Sequence, residues 1–186
     1  MKISITIVLF FLSLASYSQK FDGVSISGDL PTAISSYRAK GYTLVKLIDR
    51  GAIMRGAINS KDIELYLFTT PKSKKVFKAV VYFDKQTNWY TIKAEYERYF
   101  DVLEGIYGQA DSQYDFFTKP YFEGDGYEMS ALGLEKVTFA AYWLNKANTT
   151  VSIEISKFSQ VSITYENDLL MAQSKKESES INLNSF

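Results

Sequence analysis

NWYTIKAEYERYFDVLEGIYG (88–108) decides how the rest of the chain is interpreted, because six of its side chains are aromatic. At about 100° per residue, most of its apolar side chains fall within one arc about 120° wide, with Arg98 and Asp101 opposite. The members of the arc are Trp89, Ile92, Tyr96, Tyr99, Phe100, Leu103, Ile106 and Tyr107. Asn88 can cap the first turn and Gly108 can end the last one. The pattern predicts a helix lying on a sheet, so these aromatic side chains belong to the core and not to a ligand platform.

Eight strand-like runs on both sides of this helix supply the sheet. Their apolar residues alternate with a period of two, which predicts antiparallel strands with one buried face. The runs are YTLVKLI (42–48), GAIMRGAI (51–58), DIELYLF (62–68), VFKAVVYF (76–83), SQYDFFT (112–118) and three more around 137–143, 151–155 and 161–165. In the fourth run, Phe77, Ala79, Val81 and Phe83 are predicted to share the buried face.

Two shorter helices complete the coarse plan. The first is predicted from Leu30 to Tyr37, with Asp29 as its cap and Gly41 just past its end. The second is LLMAQSKK (169–176), which follows the last strand. The chain then reads as a helix and four strands, repeated once.

Short identities support a duplication. Ile63-Glu64-Leu65 matches Ile153-Glu154-Ile155 in the corresponding third strands. The predicted fold class is α+β, with two tandem α-β4 repeats forming an antiparallel sheet of about eight strands and helices packed on one face.

The predicted domain boundaries follow from this plan. A single α+β domain is expected over residues 19–173, with pseudo-repeats of about 19–87 and 88–173. Residues 174–186 are expected to form a polar tail, because ESESINLNSF offers little apolar surface for ordering.

MKISITIVLFFLSLASYSQK opens the chain and is typical of a secretory signal peptide. It combines a positive Lys2, an apolar stretch over 3–14 and small residues before a cut that leaves Gln19 as the new N-terminus. A membrane anchor needs roughly 20 apolar residues, and this stretch is shorter. We therefore expect residues 1–18 to be a signal peptide and the mature protein to be periplasmic or secreted, without a membrane span.

Composition excludes several chemistries. The chain has no cysteine and no histidine, which removes the usual zinc ligands, thiol nucleophiles and imidazole bases. Its 21 basic and 21 acidic side chains balance, so no nucleic-acid-binding footprint is visible. No cofactor is predicted, since glycine-rich phosphate loops and nucleophile elbows are missing.

A resemblance emerges from the order of these segments. A signal peptide, a short helix ending in YRAKGYTLV (37–45), paired glycine-bearing strands, a long helix ending in IYG (106–108) and a terminal antiparallel run resemble a family of exported, uncharacterised Bacteroidetes-type proteins. The tandem helix-plus-four-strand plan is similar to the architecture of beta-lactamase inhibitor protein. This chain lacks the cysteines of those inhibitors, so the resemblance implies an architecture and not an inhibitory role.

Three local motifs have both a functional and a structural interpretation. EGDGYE (123–128) clusters carboxylates, but it lacks the spacing of an EF-hand, so an acidic surface loop is favoured. Asn148-Thr149-Thr150 is a formal glycosylation sequon in a polar hairpin turn, and the turn interpretation is preferred. Glu64 and Glu154 are equivalent strand carboxylates, and such pairs perform glycoside hydrolysis when they lie close together.

The sheet face opposite the aliphatic residues carries the candidate binding site. Tyr66, Tyr82 and Tyr142 are each out of phase with the apolar set of their strand, beside Phe68, Glu64, Lys78 and Glu154. Tyrosines with few charges around them are typical of recognition surfaces. The alternative is that a loop or the C-terminal segment covers them.

Three functional hypotheses follow. The first is an exported, non-enzymatic module that binds a protein or envelope component through Tyr66, Tyr82 and Tyr142, without catalytic or metal-ligating residues. The second is a hydrolase that uses carboxylates without metal or histidine. The third is a structural domain without a ligand of its own.

Overall fold

The computed structural model describes residues 20–183, so the predicted signal peptide over residues 1–18 lies outside the described residues. Four helices are present in the described range, and none of them is both long and apolar enough to cross a membrane. The helices are α1 (Leu30–Ala39), α2 (Trp89–Tyr107), α3 (Glu128–Gly133) and α4 (Asp168–Leu183).

Ten strands alternate with these helices, and eight of them form one antiparallel sheet. They are β1 (Lys20–Phe21), β2 (Val24–Ser25), β3 (Thr43–Ile48), β4 (Gly51–Ile58), β5 (Lys61–Thr69), β6 (Val76–Phe83), β7 (Ser112–Phe117), β8 (Val137–Trp143), β9 (Thr149–Ser156) and β10 (Gln160–Asn167). The strand order is β3-β4-β5-β6-β10-β9-β8-β7, and within residues 20–183 β1 pairs only with β2. The predicted α+β class and antiparallel sheet are confirmed.

The centre of the sheet is the antiparallel pairing of β6 with β10. Val81 lies opposite Ile163, and Ala79 lies opposite Tyr165. These four side chains are buried and belong to the core. The pairing joins the meander β3–β6 to the meander β7–β10.

The core lies between one sheet face and α2, as the aromatic stripe predicts. Trp89, Tyr96 and Tyr99 are buried. The Tyr99 ring stacks on Phe83 at 4.1 Å between centroids. The Asn88 side chain accepts hydrogen bonds from the first-turn N–H groups, and Gly108 ends the helix at a φ of 80°.

The stripe is narrower than predicted at its C-terminal end. Ile106 belongs to the predicted arc but is 64% exposed, because it lies at the margin of that arc. Phe100 and Tyr107 are half-buried and pack against the edge of the core, where each ring contacts Trp143. Arg98 and Asp101 are exposed, as predicted.

The hairpin of β1 and β2 packs against the core beside α1, where Phe21 contacts α1 and β10. Phe21 is buried with its ring 5.4 Å from Tyr165, and the Tyr37 hydroxyl of α1 donates to the Phe21 carbonyl oxygen at 3.4 Å. Asp29 caps α1 by accepting from the Thr32 N–H at 3.0 Å. The hairpin was not predicted, because two-residue strands are too short for alternation to be visible.

One predicted core residue faces elsewhere. The register between β5 and β6 shifts after Phe68, so that Thr69 pairs with Val76. Val76 is fully buried in the core, whereas Phe77 lines a cavity beside α4. A bulge inserts one extra residue, so the alternation of side chains changes phase at that point. Val76 therefore takes the core position predicted for Phe77.

The last helix is longer than the predicted segment 169–176. It runs from Asp168 to Leu183 and includes much of the expected polar tail. It meets the sheet on the side of Phe68, which is opposite the face that α2 covers. The expectation that all helices pack on one face therefore fails for α4.

Replacing a core residue of α2 tests its orientation. Ile92→Ala removes a fully buried side chain and is expected to lower the free energy of unfolding by about 2–5 kcal/mol through lost burial and a residual cavity. Val102→Ala on the exposed side of the same helix is the matched control and should change it by less than about 0.5 kcal/mol. Denaturant melts measure both. Equal effects of the two substitutions would mean that the helix is rotated.

Candidate functional site

The outer face of the sheet is the face that carries Glu64 and Tyr66 instead of Leu65 and Leu67. Strand pairing arranges its side chains in rows that cross the sheet. One row runs Arg55, Glu64, Tyr82, Ser162, Glu154, Ala140 and Tyr114. The next runs Ile53, Tyr66, Val80, Thr164, Ser152, Tyr142 and Ser112. The three predicted tyrosines therefore share this face, and each is half-buried.

The tyrosines form two clusters. In the first, the Tyr66 ring lies 5.2 Å from Tyr82 and 6.4 Å from Phe68. In the second, Tyr142 lies 6.2 Å from Tyr114. The two clusters stand on opposite sides of a strip of small residues.

That strip is formed by β10 and β9, whose outer residues include Ser162, Thr164 and Ser152. In the row of Tyr82, the β8 residue is Ala140, which is two residues from Tyr142. Three strand spacings separate Tyr82 from Ala140. At about 4.8 Å each, the separation is about 14 Å. Tyr66, Tyr82 and Tyr142 thus form two contact points on one face instead of a single patch.

Two aromatic residues of this face were missed by the sequence reasoning. Tyr114 and Phe116 of β7 are 45% and 49% exposed beside Tyr142. Their alternation with Ser112 in SQYDFFT was the available signal. Alternation alone does not place these rings beside Tyr142, because the sequence does not reveal that β7 lies next to β8.

The paired carboxylates are held apart. Glu64 and Glu154 lie in one row, but β6 and β10 stand between their strands, so about 14 Å separates their backbones. Glu64 accepts from Arg55 Nη2 at 2.9 Å and from the Tyr66 hydroxyl at 3.3 Å. Glu154 accepts from the Ser162 hydroxyl at 3.3 Å. Each carboxylate is therefore engaged by its own neighbours.

Burial and these carboxylates shift the titration of the tyrosines. Partial burial raises the pKa of Tyr66, and the adjacent Glu64 raises it further. Burial likewise raises the pKa of Tyr82 and the pKa of Tyr142, and Glu154 adds to both. All three phenols therefore stay neutral hydrogen-bond donors at physiological pH.

Open cavities line this face. One of about 490 Å³ lies beside Arg55, Glu64 and Tyr82, and one of about 560 Å³ lies beside Tyr114 and Tyr142. A third, of about 340 Å³, extends from Tyr82 to Glu154. The cavities follow the two aromatic clusters and the strip between them.

The C-terminal helix covers part of the outer face, where it contacts the central strands β6 and β10. Residues of α4 line a cavity of about 420 Å³ together with Phe68 and Phe77. None of them lines the three cavities beside Tyr82 and Tyr142. The alternative that the C-terminal segment covers the face therefore applies to Phe68 and not to Tyr82 or Tyr142.

One carboxylate anchors α4 to the loop between β5 and β6. Glu177 accepts from the N–H groups of Lys72 at 2.6 Å and Ser73 at 3.1 Å, and from the Ser73 hydroxyl at 2.7 Å. The Ser73 hydroxyl and these N–H groups lower the Glu177 pKa to about 2. This anchor explains why the polar segment after residue 174 is helical.

The acidic loop EGDGYE binds its own protein neighbours. Glu123 pairs with Lys93 at 2.6 Å, Asp125 accepts from the Tyr127 N–H at 2.7 Å, and the buried Glu128 accepts from the Gly124 N–H at 2.8 Å. Within residues 20–183, no three acidic side chains converge as a metal site would require. The surface-loop interpretation agrees with these contacts.

The sequon lies in the turn between β8 and β9. Asn148 has a φ of 60°, and its carbonyl oxygen accepts from the Asp168 N–H at 3.0 Å. Asparagine tolerates this left-handed conformation better than most residues. The turn interpretation accounts for Asn148.

Comparisons with known proteins find no relative. No family model matches the chain, and no similar protein is found among curated sequences or solved structures. The candidate site therefore rests on the geometry of this chain alone.

The position of Glu154 between the two tyrosine clusters, and of Glu64 beside Tyr66 alone, can be tested by titration. Glu154→Gln removes a charge that raises the pKa of both Tyr82 and Tyr142, so both values should fall while that of Tyr66 stays unchanged. Glu64→Gln is the matched control and should lower only the pKa of Tyr66. NMR titration of ring-labelled tyrosines measures all three. A Glu154→Gln effect on Tyr66 alone would contradict the arrangement.

The anchor of α4 makes its docking pH-dependent. The Glu177 pKa is lowered from its ordinary value of 4.5 to about 2. The stabilisation is therefore present above pH 4.5 and is lost as the pH falls towards 2. Hydrogen exchange at the Lys72 and Ser73 amides should accelerate in that interval relative to the intrinsic exchange rates of unprotected amides at the same pH.

Glu177→Gln should show faster exchange at these amides already at pH 6 and little further change on acidification. Glu179→Gln, on the same helix without a hydrogen bond to this loop, is the matched control. Identical exchange in the two variants would show that Glu177 does not hold α4.

Proposed function

We propose that this protein is a non-enzymatic binding module that recognises a protein or envelope component through the outer face of its sheet. The observation that carries the proposal is the pair of half-buried tyrosine clusters on the face opposite α2. Tyrosine offers a large contact area with few rotatable bonds, together with one hydroxyl for hydrogen bonding. The residues between the clusters include Glu154 and the buried Ser162, so a partner would contact the two clusters separately.

The rival hydrolase is disfavoured by distance. Glycosidase carboxylates act at roughly 5–10 Å from one another, whereas Glu64 and Glu154 stand on strands about 14 Å apart. Arg55 and Ser162 also engage them separately. The remaining alternative, a structural domain without a ligand, is separated from the proposal by the binding experiment below.

Export to the periplasm or beyond the cell is part of the proposal. It is supported by the signal-like segment over residues 1–18. Membership of the exported Bacteroidetes-type family that the segment order resembles is proposed on the same basis.

We also infer that the fold arose from two tandem α-β4 units. The support is the mirrored strand order, in which β3–β6 and β7–β10 are each meanders that meet at β6 and β10. The helices are less alike, since α1 contacts β3 and β4 whereas α2 contacts β9 and β10. A change in helix position after duplication accounts for this difference.

The binding proposal predicts the effect of removing the tyrosines. A variant with Tyr66, Tyr82 and Tyr142 replaced by serine should stay folded with a lower Tm, because half-buried rings lose only part of their packing. Its capture of a partner from the envelope fraction of the native host should fall by about tenfold or more, as for aromatic residues central to an interface. Tyr90→Ser, at a 72% exposed site on α2, is the control and should retain capture.

A second measurement keeps this prediction decisive if the triple variant unfolds. A photo-crosslinking amino acid placed at position 142 should give one dominant adduct by mass spectrometry, and the same group at position 90 should not. Equal labelling from both positions, or capture that survives in a folded triple variant, would show that the outer face is ordinary surface.

A further inference from the structure

The two edges of the sheet differ in how well they are protected. The β3 edge has a register shift between Leu44 and Lys46 and carries a lysine there. Bulges and lysines are the usual devices that prevent another strand from pairing with an edge. The β7 edge has six residues in unbroken register with β8, without a bulge or a lysine, and Asp115 is its one charged residue. It is the more accessible template for an added strand.

Alternation identifies which backbone groups of β7 point outward. The Thr118 N–H donates to the Lys136 carbonyl oxygen at 2.7 Å, just beyond the pair Phe117 and Val137. In an antiparallel ladder, hydrogen-bonded and non-hydrogen-bonded pairs alternate. Counting back from Thr118, the N–H and C=O groups of Gln113, Asp115 and Phe117 point away from β8. Within residues 20–183, no strand lies on that side of β7.

The side chains along this edge define what would fit beside it. On the outer face, Tyr114 and Phe116 stand next to exposed Leu144 and share its cavity of about 560 Å³ with Tyr142. On the other face, Asp115 is exposed and forms no salt bridge with any residue of the described range. The edge therefore offers apolar contacts on one side and, on the other, an exposed carboxylate that also interacts electrostatically with Lys93.

We propose that β7 binds an extended peptide segment of a partner protein, which adds to the sheet as an antiparallel ninth strand. Main-chain hydrogen bonds to Gln113, Asp115 and Phe117 supply affinity, and alternate side chains supply specificity. The segment places apolar residues beside Tyr114 and Phe116 and a lysine or arginine opposite Asp115. This inference rests on the proposed function and deepens it by naming the class of partner.

A second copy of the chain fits this edge less well. Two eight-stranded sheets joined through β7 would form one continuous sheet far beyond the roughly ten strands that twisted open sheets usually reach. Pairing centred on Asp115 would also set two like charges opposite each other, which is destabilising. A short peptide segment avoids both costs.

The probe is a capped hexapeptide of sequence Ser-Val-Lys-Val-Lys-Ser. In the proposed register, lysine lies opposite Asp115, so the lysine N–H groups point towards β7 and the valine N–H groups point away. Methylating the two lysine amide nitrogens should weaken binding about tenfold or more, because it removes hydrogen bonds to the edge. Methylating the two valine amide nitrogens is the matched control and should preserve binding.

Amide hydrogen exchange locates the peptide on the protein. Addition of the probe should slow the Gln113, Asp115 and Phe117 amides, whereas the amides of Tyr114 and Phe116 are protected already by β8. Asp115→Lys should lose the lysine peptide and bind the analogue with glutamate in its place.

Four results would overturn the inference. They are no binding of the probe, equal binding of the two methylated isomers, no slowing at the three outward amides, and protection of those amides by a second copy without peptide. The tyrosine variants are separate from this test. If the tyrosine variants lose capture of the partner but the peptide does not add to β7, only this inference fails. If the tyrosine variants retain capture, the proposed function fails.

Discussion

The antiparallel register between β6 and β10 is the constraint on which the rest of the molecule depends. It sets Val81 opposite Ile163 on the core face and Tyr82 opposite Ser162 on the outer face. A slip by one residue would turn every side chain of one meander to the opposite face. The stacking of Phe83 on Tyr99, with 4.1 Å between ring centroids, ties the same pair to α2. The core and the candidate site are therefore fixed by one set of hydrogen bonds.

The same register explains why the outer face has two aromatic contact points. β10 and β9 present Ser162, Thr164, Ser152 and Glu154 between β6 and β8, so no aromatic ring of the described residues connects the two clusters across the middle of the sheet. Instead, the Tyr82 ring packs edge-on against Tyr66, and the Tyr142 ring packs edge-on against Tyr114. Because the rings stand on strands and not on loops, little additional conformational entropy is lost when a partner orders them.

Alternation was sufficient to predict most of the sheet and the facing of its residues. It assigned Tyr66, Tyr82 and Tyr142 to one face, and the helical stripe identified α2 with both of its caps. It failed at Phe77, because a bulge changes the phase within a strand without any sequence signal. The separation of Tyr142 from Tyr82 was also beyond reach, since it depends on β6 pairing with residues 80 to 88 positions later in the chain. Glu177 was missed because its partners are backbone N–H groups, which carry no residue identity.

The unprotected edge and the aromatic face meet at β7, and this coincidence links the two proposals. An exposed strand edge with apolar side chains favours aggregation, and proteins usually blunt such edges. Here the β3 edge is blunted by a bulge and a lysine, while β7 keeps unbroken register and the exposed rings of Tyr114 and Phe116. The asymmetry is accounted for if β7 is normally occupied by a partner, and Tyr114 then belongs both to the strand-binding edge and to the cluster around Tyr142.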